Sequence, residues 1–263
     1  MQERDSSVCE TAGDETAGGE EGFFEKKSSS PPAPPHLSKN TENGSNIMPT
    51  IKVGLKRIEK WNTSLEREVL RYEEEPIQKG GIVFYGDSDF TRWSERFGVT
   101  DISDALRGKS GARCAINRGF GSSSPEHQLY YYPRMVRPLE PSVLVISAGF
   151  GNGASFGYSA DEMLFLLERL VAYAREDFPD IHVYFYGESK KRHAANHTRI
   201  ACIEGAQALM ERTPNCHFLD STDFEPLNVD GLIGDDKIHF NEKGYAAFGE
   251  FFKIGLREEL ERF

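Results

Sequence analysis

Ile82-Val83-Phe84-Tyr85-Gly86-Asp87-Ser88 is the stretch on which the fold of this chain turns. Four consecutive apolar residues predict a strand buried on both faces. The Gly-Asp-Ser behind them predicts that it stops abruptly and presents a serine at its tip. In an open parallel sheet the carboxyl ends of the strands face the ligand-binding crevice. A serine there becomes a nucleophile if a histidine and a carboxylate reach it from elsewhere in the chain. Asp236 and His239, in the last loop, are such a pair. On its own the tripeptide marks a turn, and Ser88 equally suits a helix N-cap.

Working outward, the same logic repeats. Residues 52–75 have helical spacing, with Leu55, Ile58, Trp61, Leu65, Val69 and Leu70 on an apolar stripe that Pro76 and Gly80-Gly81 end. Further strands are predicted at Arg113-Cys-Ala-Ile-Asn117, Ser142-Val-Leu-Val-Ile-Ser147, Ile181-His-Val-Tyr-Phe-Tyr186 and Cys216-His-Phe-Leu-Asp220. Ser159-Ala-Asp-Glu162 is a capping box that opens a helix to about residue 176. A second helix is expected over 194–212, and Asn241 caps a last one running to the C-terminus. Strands alternating with helices call for an α/β domain with a parallel sheet covered on both faces.

Residues 1–50 differ in kind from the rest. They mix acidic residues with Gly, Ser and Pro, including Ser28-Ser-Ser-Pro-Pro-Ala-Pro-Pro35, and lack an apolar period. Such a segment cannot bury enough surface to offset chain entropy, so a disordered tail is expected, followed by one domain over 51–263. The net charge of −11 argues against nucleic acid or an anionic membrane as partner. No run of about eighteen apolar residues predicts a membrane span. The acidic, polar start is unlike a signal peptide. Cys9, Cys114, Cys202 and Cys216 contain no Cys-x-x-Cys pair, which favours free thiols in a reducing compartment and a cytoplasmic location.

Four loops at predicted strand ends carry the candidate chemistry: Gly86-Asp87-Ser88, Asn117-Arg-Gly-Phe-Gly-Ser122, Gly149-Phe-Gly-Asn-Gly153 and Asp236-Lys-Ile-His239. In this order the blocks resemble the SGNH (GDSL-type) hydrolases over roughly residues 55–262, down to the Asn-Glu-Lys-Gly-Tyr continuation at 241–245. The resemblance implies a three-layer α/β/α sandwich with a five-stranded parallel sheet in flavodoxin-like order. It also implies a serine esterase or acylhydrolase acting on a small or medium acyl ester, with acetyl esters of a carbohydrate as one guess, and with neither metal nor cofactor. Ser88 would attack the carbonyl, His239 would move the proton, and Asp236 would hold His239 in its tautomer. Backbone N–H groups at Ser88 and the second block (Gly121, Ser122), with the Asn152 amide, would hold the oxyanion.

Two departures from the family pattern bear on that last role. Ser122 stands where the second block usually ends in glycine, so its N–H serves only if the backbone tolerates a side chain there. The third block usually reads Gly-x-Asn-Asp. With one inserted residue Asn152 takes the oxyanion position, and without it Gly151 does. The competing class is a hydrolase scaffold that binds an ester or glycan without turnover.

Other patterns have plainer readings. Gly153-Ala-Ser155-Phe-Gly157 matches a nucleophile elbow but is predicted to stand away from any strand-to-helix turn. His193 and His197 are expected on an exposed polar face rather than on a metal. Asp87 and Asn117 are expected to brace their loops through backbone hydrogen bonds. Tyr130-Tyr131-Tyr132 is expected to pack on the sheet, and Arg118 is either a surface cation or a substrate contact.

Overall fold

The computed structural model describes residues 58–263, with side chains from residue 63. The expected tail and the first part of the 52–75 helix lie outside the described residues. Five strands form an all-parallel sheet: β1 Ile82–Gly86, β2 Ala115–Gly119, β3 Val143–Ser147, β4 His182–Gly187 and β5 Cys216–Asp220. Their order is β2-β1-β3-β4-β5, the flavodoxin-like arrangement. The helices are α1 Ile58–Glu73, α2 Ser88–Thr91, α3 Ile102–Ala105, α4 Pro125–Met135, α5 Phe150–Ser155, α6 Ala160–Asp177, α7 His197–Arg212, α8 Glu242–Gly255 and α9 Arg257–Leu260.

The period of two along each strand divides the core into two layers. Val83, Tyr85, Leu144, Ile146, Val183 and Phe185 face a layer built from α1, α4, α6 and α7, where Leu65, Tyr131, Leu167 and Ile203 are buried. Ile82, Phe84, Val143, Val145, Tyr184 and Tyr186 face the other layer, where Phe90, Ile102, Phe248 and Phe252 are buried. Each such side chain contributes roughly 1.5–3 kcal/mol on burial. In the second layer the aromatics also lock together, Phe84 standing edge to face against its neighbours. Phe84 meets Phe90 at 5.3 Å and Phe252 at 5.1 Å between ring centroids, and Trp93 meets Phe248 at 5.1 Å. This cluster clamps the one-turn helix α2 against β1 and α8.

Register decides where the loops meet. Gly86, the last residue of β1, pairs with Gly119 of β2 on one side and Ser147 of β3 on the other. Three strands therefore end level, and the loops after them leave from the same edge.

Several details differ from the sequence reading. β2 starts two residues later than expected. Arg113 bonds the Asp104 carboxylate at 2.6 Å and bridges Arg107 instead of joining the sheet. Arg118 in turn lies inside β2, buried, with Glu75 at 2.8 Å and its guanidinium 4.7 Å from the Tyr72 ring centroid. Leu70 is 48% exposed, because it lies about 100° around the helix from the buried Val69. Helix α4 has no counterpart in the sequence reading, since Pro133 and three tyrosines give it little helical signal. Its Tyr131 and Tyr132 are fully buried, as packing on the sheet requires, while Tyr130 is half exposed. The last helix ends at Gly255 and a further turn, α9, follows.

Candidate active site

The sheet edge is built from the loops outward. Asp87 caps α2: its Oδ1 accepts the backbone N–H of Asp89 at 3.2 Å and the Ser147 hydroxyl at 3.1 Å. Ser88 is thereby the first residue of α2, and among the described residues no group within hydrogen-bond distance takes or meets its Oγ. Asn117 ties α2 to β2. Its amide donates to the Phe90 carbonyl at 2.7 Å and the Trp93 carbonyl at 3.2 Å, and its Oδ1 accepts from Gly119 N at 2.8 Å. The bracing expected of Asp87 and Asn117 is present in these bonds.

The second block bends back over α2. Gly121 lies beside Ser88, where a Cβ would stand 3.7 Å from the Ser88 Cβ. Ser122 has φ 66°, the left-handed conformation that glycine prefers. The chain thus keeps the glycine-like turn with a serine in it, at a cost of about 1–2 kcal/mol.

The third block is a short helix, α5, entered through Gly149 at φ 64°. A side chain at Gly149 would run into the Ser123 carbonyl. Asn152 donates through Nδ2 to that same carbonyl at 2.8 Å, which commits one of its two amide hydrogens. Ser155 sits within α5 with its hydroxyl on the Asn152 carbonyl, so Gly153–Gly157 is no strand-to-helix elbow.

The last loop closes on itself. Asp236 Oδ2 meets His239 Nδ1 at 2.8 Å, and Asp236 Oδ1 accepts the backbone N–H groups of His239 at 2.9 Å and Ile238 at 3.0 Å. Lys237 takes φ 62° to make this turn. The N–H of His239 and then its ring hold the Asp236 carboxyl well below the usual carboxylate range. Arg92, just beyond α2, reaches the same carboxylate oxygen at 3.0 Å. It ties the Asp–His loop to the element that carries Ser88. The His239 ring is mostly covered, its side chain 14% exposed. Among the described residues its Nε2 meets no hydrogen-bond partner.

A cavity of about 460 Å³ lies on this edge. Asp87, Ser88, Gly151, Asn152, Lys237 and Ile238 line it from the blocks already named. Tyr186 of β4 lines it too, with Glu188, Arg192, His193, Asn196 and Arg199 from the segment after β4, which the sequence reading leaves out of the site. The signal was present: Gly187-Glu-Ser behind an apolar strand repeats the pattern of Gly86-Asp-Ser. His193 was expected on an exposed face. It is instead largely covered, with Nε2 3.0 Å from Glu188, because the chain turns there before α7 begins. Burial, and then Arg192, lower its pKa. Arg118 is absent from this lining and is spent on Glu75 and Tyr72.

Burial also acts on Asp87. Enclosure, and then the neighbouring Asp89 charge, push its carboxyl up to about 7, against the pull of the Asp89 N–H and Arg199. Among the described residues no group of three or more His, Cys, Asp or Glu side chains gathers as metal ligands would, and Cys114, Cys202 and Cys216 are free thiols. No helix among the described residues is long and apolar enough to cross a membrane.

Comparison with known proteins fits this arrangement. No curated protein matches the sequence. Among solved structures, a GDSL-like lipase from Bacteroides thetaiotaomicron is 16% identical with a TM-score of 0.55, over 74% of this chain and 98% of that one. The psychrotrophic esterase from Pseudoalteromonas sp. is 16% identical at a TM-score of 0.55, over 69% and 99%. A family 3 carbohydrate esterase from Clostridium thermocellum is 14% identical at 0.51, over 70% and 98%. At these identities the likeness is one of fold. The family model of the GDSL-like lipases and acylhydrolases matches residues 84–247, more than half of the chain and all four blocks. The chain belongs to the GDSL-like lipase/acylhydrolase family and is a hydrolase acting on ester bonds.

Proposed function

We propose that this protein hydrolyses small carboxylic esters through Ser88, His239 and Asp236. One observation carries the reading. The Asp236 carboxylate is locked by two backbone N–H groups and grips Nδ1 of His239, which leaves Nε2 as the free end of the ring. That is the tautomer a general base needs. Ser88, at the head of α2 on the same sheet edge, has an uncommitted hydroxyl. In the reaction the Oγ–C bond forms as the Oγ proton passes to His239 Nε2. The carbonyl pair moves onto its oxygen and then returns, breaking the bond to the alkoxy group, which takes the proton from His239. Water repeats the sequence on the acyl-enzyme. N–H groups of Ser88, Gly121 and Ser122, with the second amide hydrogen of Asn152, are the candidate donors to the oxyanion, each worth roughly 3–4 kcal/mol of barrier.

The cavity supports a short acyl group and a polar alcohol. Its lining is mostly charged or amide side chains, with Tyr186, Ile238 and Phe240 as the aromatic and aliphatic members. Sugar acetates are the first substrates to test, in keeping with the carbohydrate esterase that shares the fold.

The test compares purified protein with Ser88→Ala on p-nitrophenyl acetate, on longer p-nitrophenyl esters and on acetylated sugars. The wild type is expected to turn over the acetate and lose activity as the acyl chain lengthens, and the variant to be inert. Equal rates in the two proteins would leave a scaffold that binds without turnover.

A further inference from the structure

Arg199 fills the place in the cavity where a side chain is missing. A Cβ on Gly151 would stand 2.7 Å from Arg199 Nη1 and 3.1 Å from its Cζ. The guanidinium as placed therefore occupies the volume that a Cβ at position 151 would take, and a side chain there would push it aside. Both residues line the cavity that holds Ser88 and Asn152.

The three nitrogens of Arg199 are used unequally. Nη2 is bonded to the Glu188 carboxylate, which also holds His193 and so fixes the orientation of the fork. Nε is buried with no partner, and no described residue accepts from Nη1. A guanidinium has five donors in a rigid plane, so donors remain unspent on the side that bears on Gly151. An oxygen of a bound ligand would pair with Nη1, the nitrogen nearest Gly151. The field of Arg199 also reaches Asp87, next to Ser88, where it opposes the upward push of burial. Asn152, by contrast, has one amide hydrogen committed to the Ser123 carbonyl.

We propose that Arg199 is a catalytic residue: its unspent N–H groups donate to the oxyanion formed when Ser88 attacks, and glycine at 151 is what admits the guanidinium. This rests on the reading of Ser88 as nucleophile. No proton leaves Arg199 in the step. Its donors stabilise the negative oxygen while the pair resides there and release it when the carbonyl re-forms.

The test is the kinetics of wild type, Ser88→Ala and Arg199→Ala on p-nitrophenyl acetate, with melting temperatures alongside. A donor used only in the transition state lowers kcat by roughly 10²- to 10³-fold and leaves KM within about threefold. A kcat within about fivefold of wild type, or a loss confined to KM, overturns the proposal. If Arg199→Ala does not fold, Arg199→Gln and Arg199→Met are compared, since they match in length and differ in carrying a donor. A higher kcat in the Gln variant supports the proposal, and equal kcat values overturn it. A wild type no faster than Ser88→Ala is a separate result: it removes the nucleophile reading, and the role of Arg199 falls with it.

Discussion

Replacing Asp87 by Asn should change how stability depends on pH. Asp87 is 7% exposed, caps α2, and is pushed from the ordinary aspartate value of 3.8 to about 7 by burial and by Asp89. A carboxyl with a raised folded pKa favours the folded state in its protonated form. Its contribution is full below the unfolded value, declines as pH rises between about 4 and 7, and is gone above the folded value. At about 1.36 kcal/mol per unit, the window from about pH 4.5 to about pH 7.5 covers roughly 3 kcal/mol. Asn has nearly the same shape, caps a helix as well, and does not titrate. Asp87→Asn should therefore gain about 3 kcal/mol relative to wild type as pH rises across that window. Urea unfolding at several pH values, followed by circular dichroism, measures the difference directly, and subtraction removes the other carboxylates. A difference between the two proteins that stays flat with pH would refute the reasoning, because it would mean that Asp87 ionises in the fold as it does in water.

Further outcomes are expected at neighbouring positions. Ser122→Gly should raise stability by about 1 kcal/mol, since the left-handed backbone at φ 66° no longer carries a Cβ; an unchanged or lower urea midpoint would count against that strain. Asn117→Ala removes two bonds to the α2 segment and one to Gly119, and should cost about 2–3 kcal/mol; a loss below about 0.5 kcal/mol would show that the Asn117 amide does not hold Ser88's helix in place. Asp236→Asn should lower kcat by about 10³-fold or more with little change in KM, because the amide cannot enforce the His239 tautomer; steady-state kinetics on p-nitrophenyl acetate decides, and near-normal turnover would remove Asp236 from the mechanism.

Much of the fold is legible in the sequence because a buried parallel strand writes its own signature. β3 and β5 appear where the apolar runs stand, and the capping box at Ser159 and Glu162 closes as read. Where the reading slipped, a long-range partner had overruled local pattern. Arg118 enters β2 only because Glu75 and Tyr72, some forty residues earlier, shield its charge. Helix α4 forms in spite of Pro133 because its Tyr131 and Tyr132 are buried against the sheet and α6.

The strand-then-turn grammar of the chain is local, and so is the pairing of Asp236 with His239, since a three-residue spacing is a geometry that one turn can close. So is the position of a serine behind the first strand. What surrounds that serine depends on long-range packing. Register brings the ends of β1, β2 and β3 level, and the chain beyond β4 swings Glu188, His193 and Arg199 into the cavity. Whether position 151 offers a side chain of its own or cedes its volume to Arg199 is written in no local stretch, because it depends on two segments 48 residues apart in the chain (199 − 151) packing within contact distance.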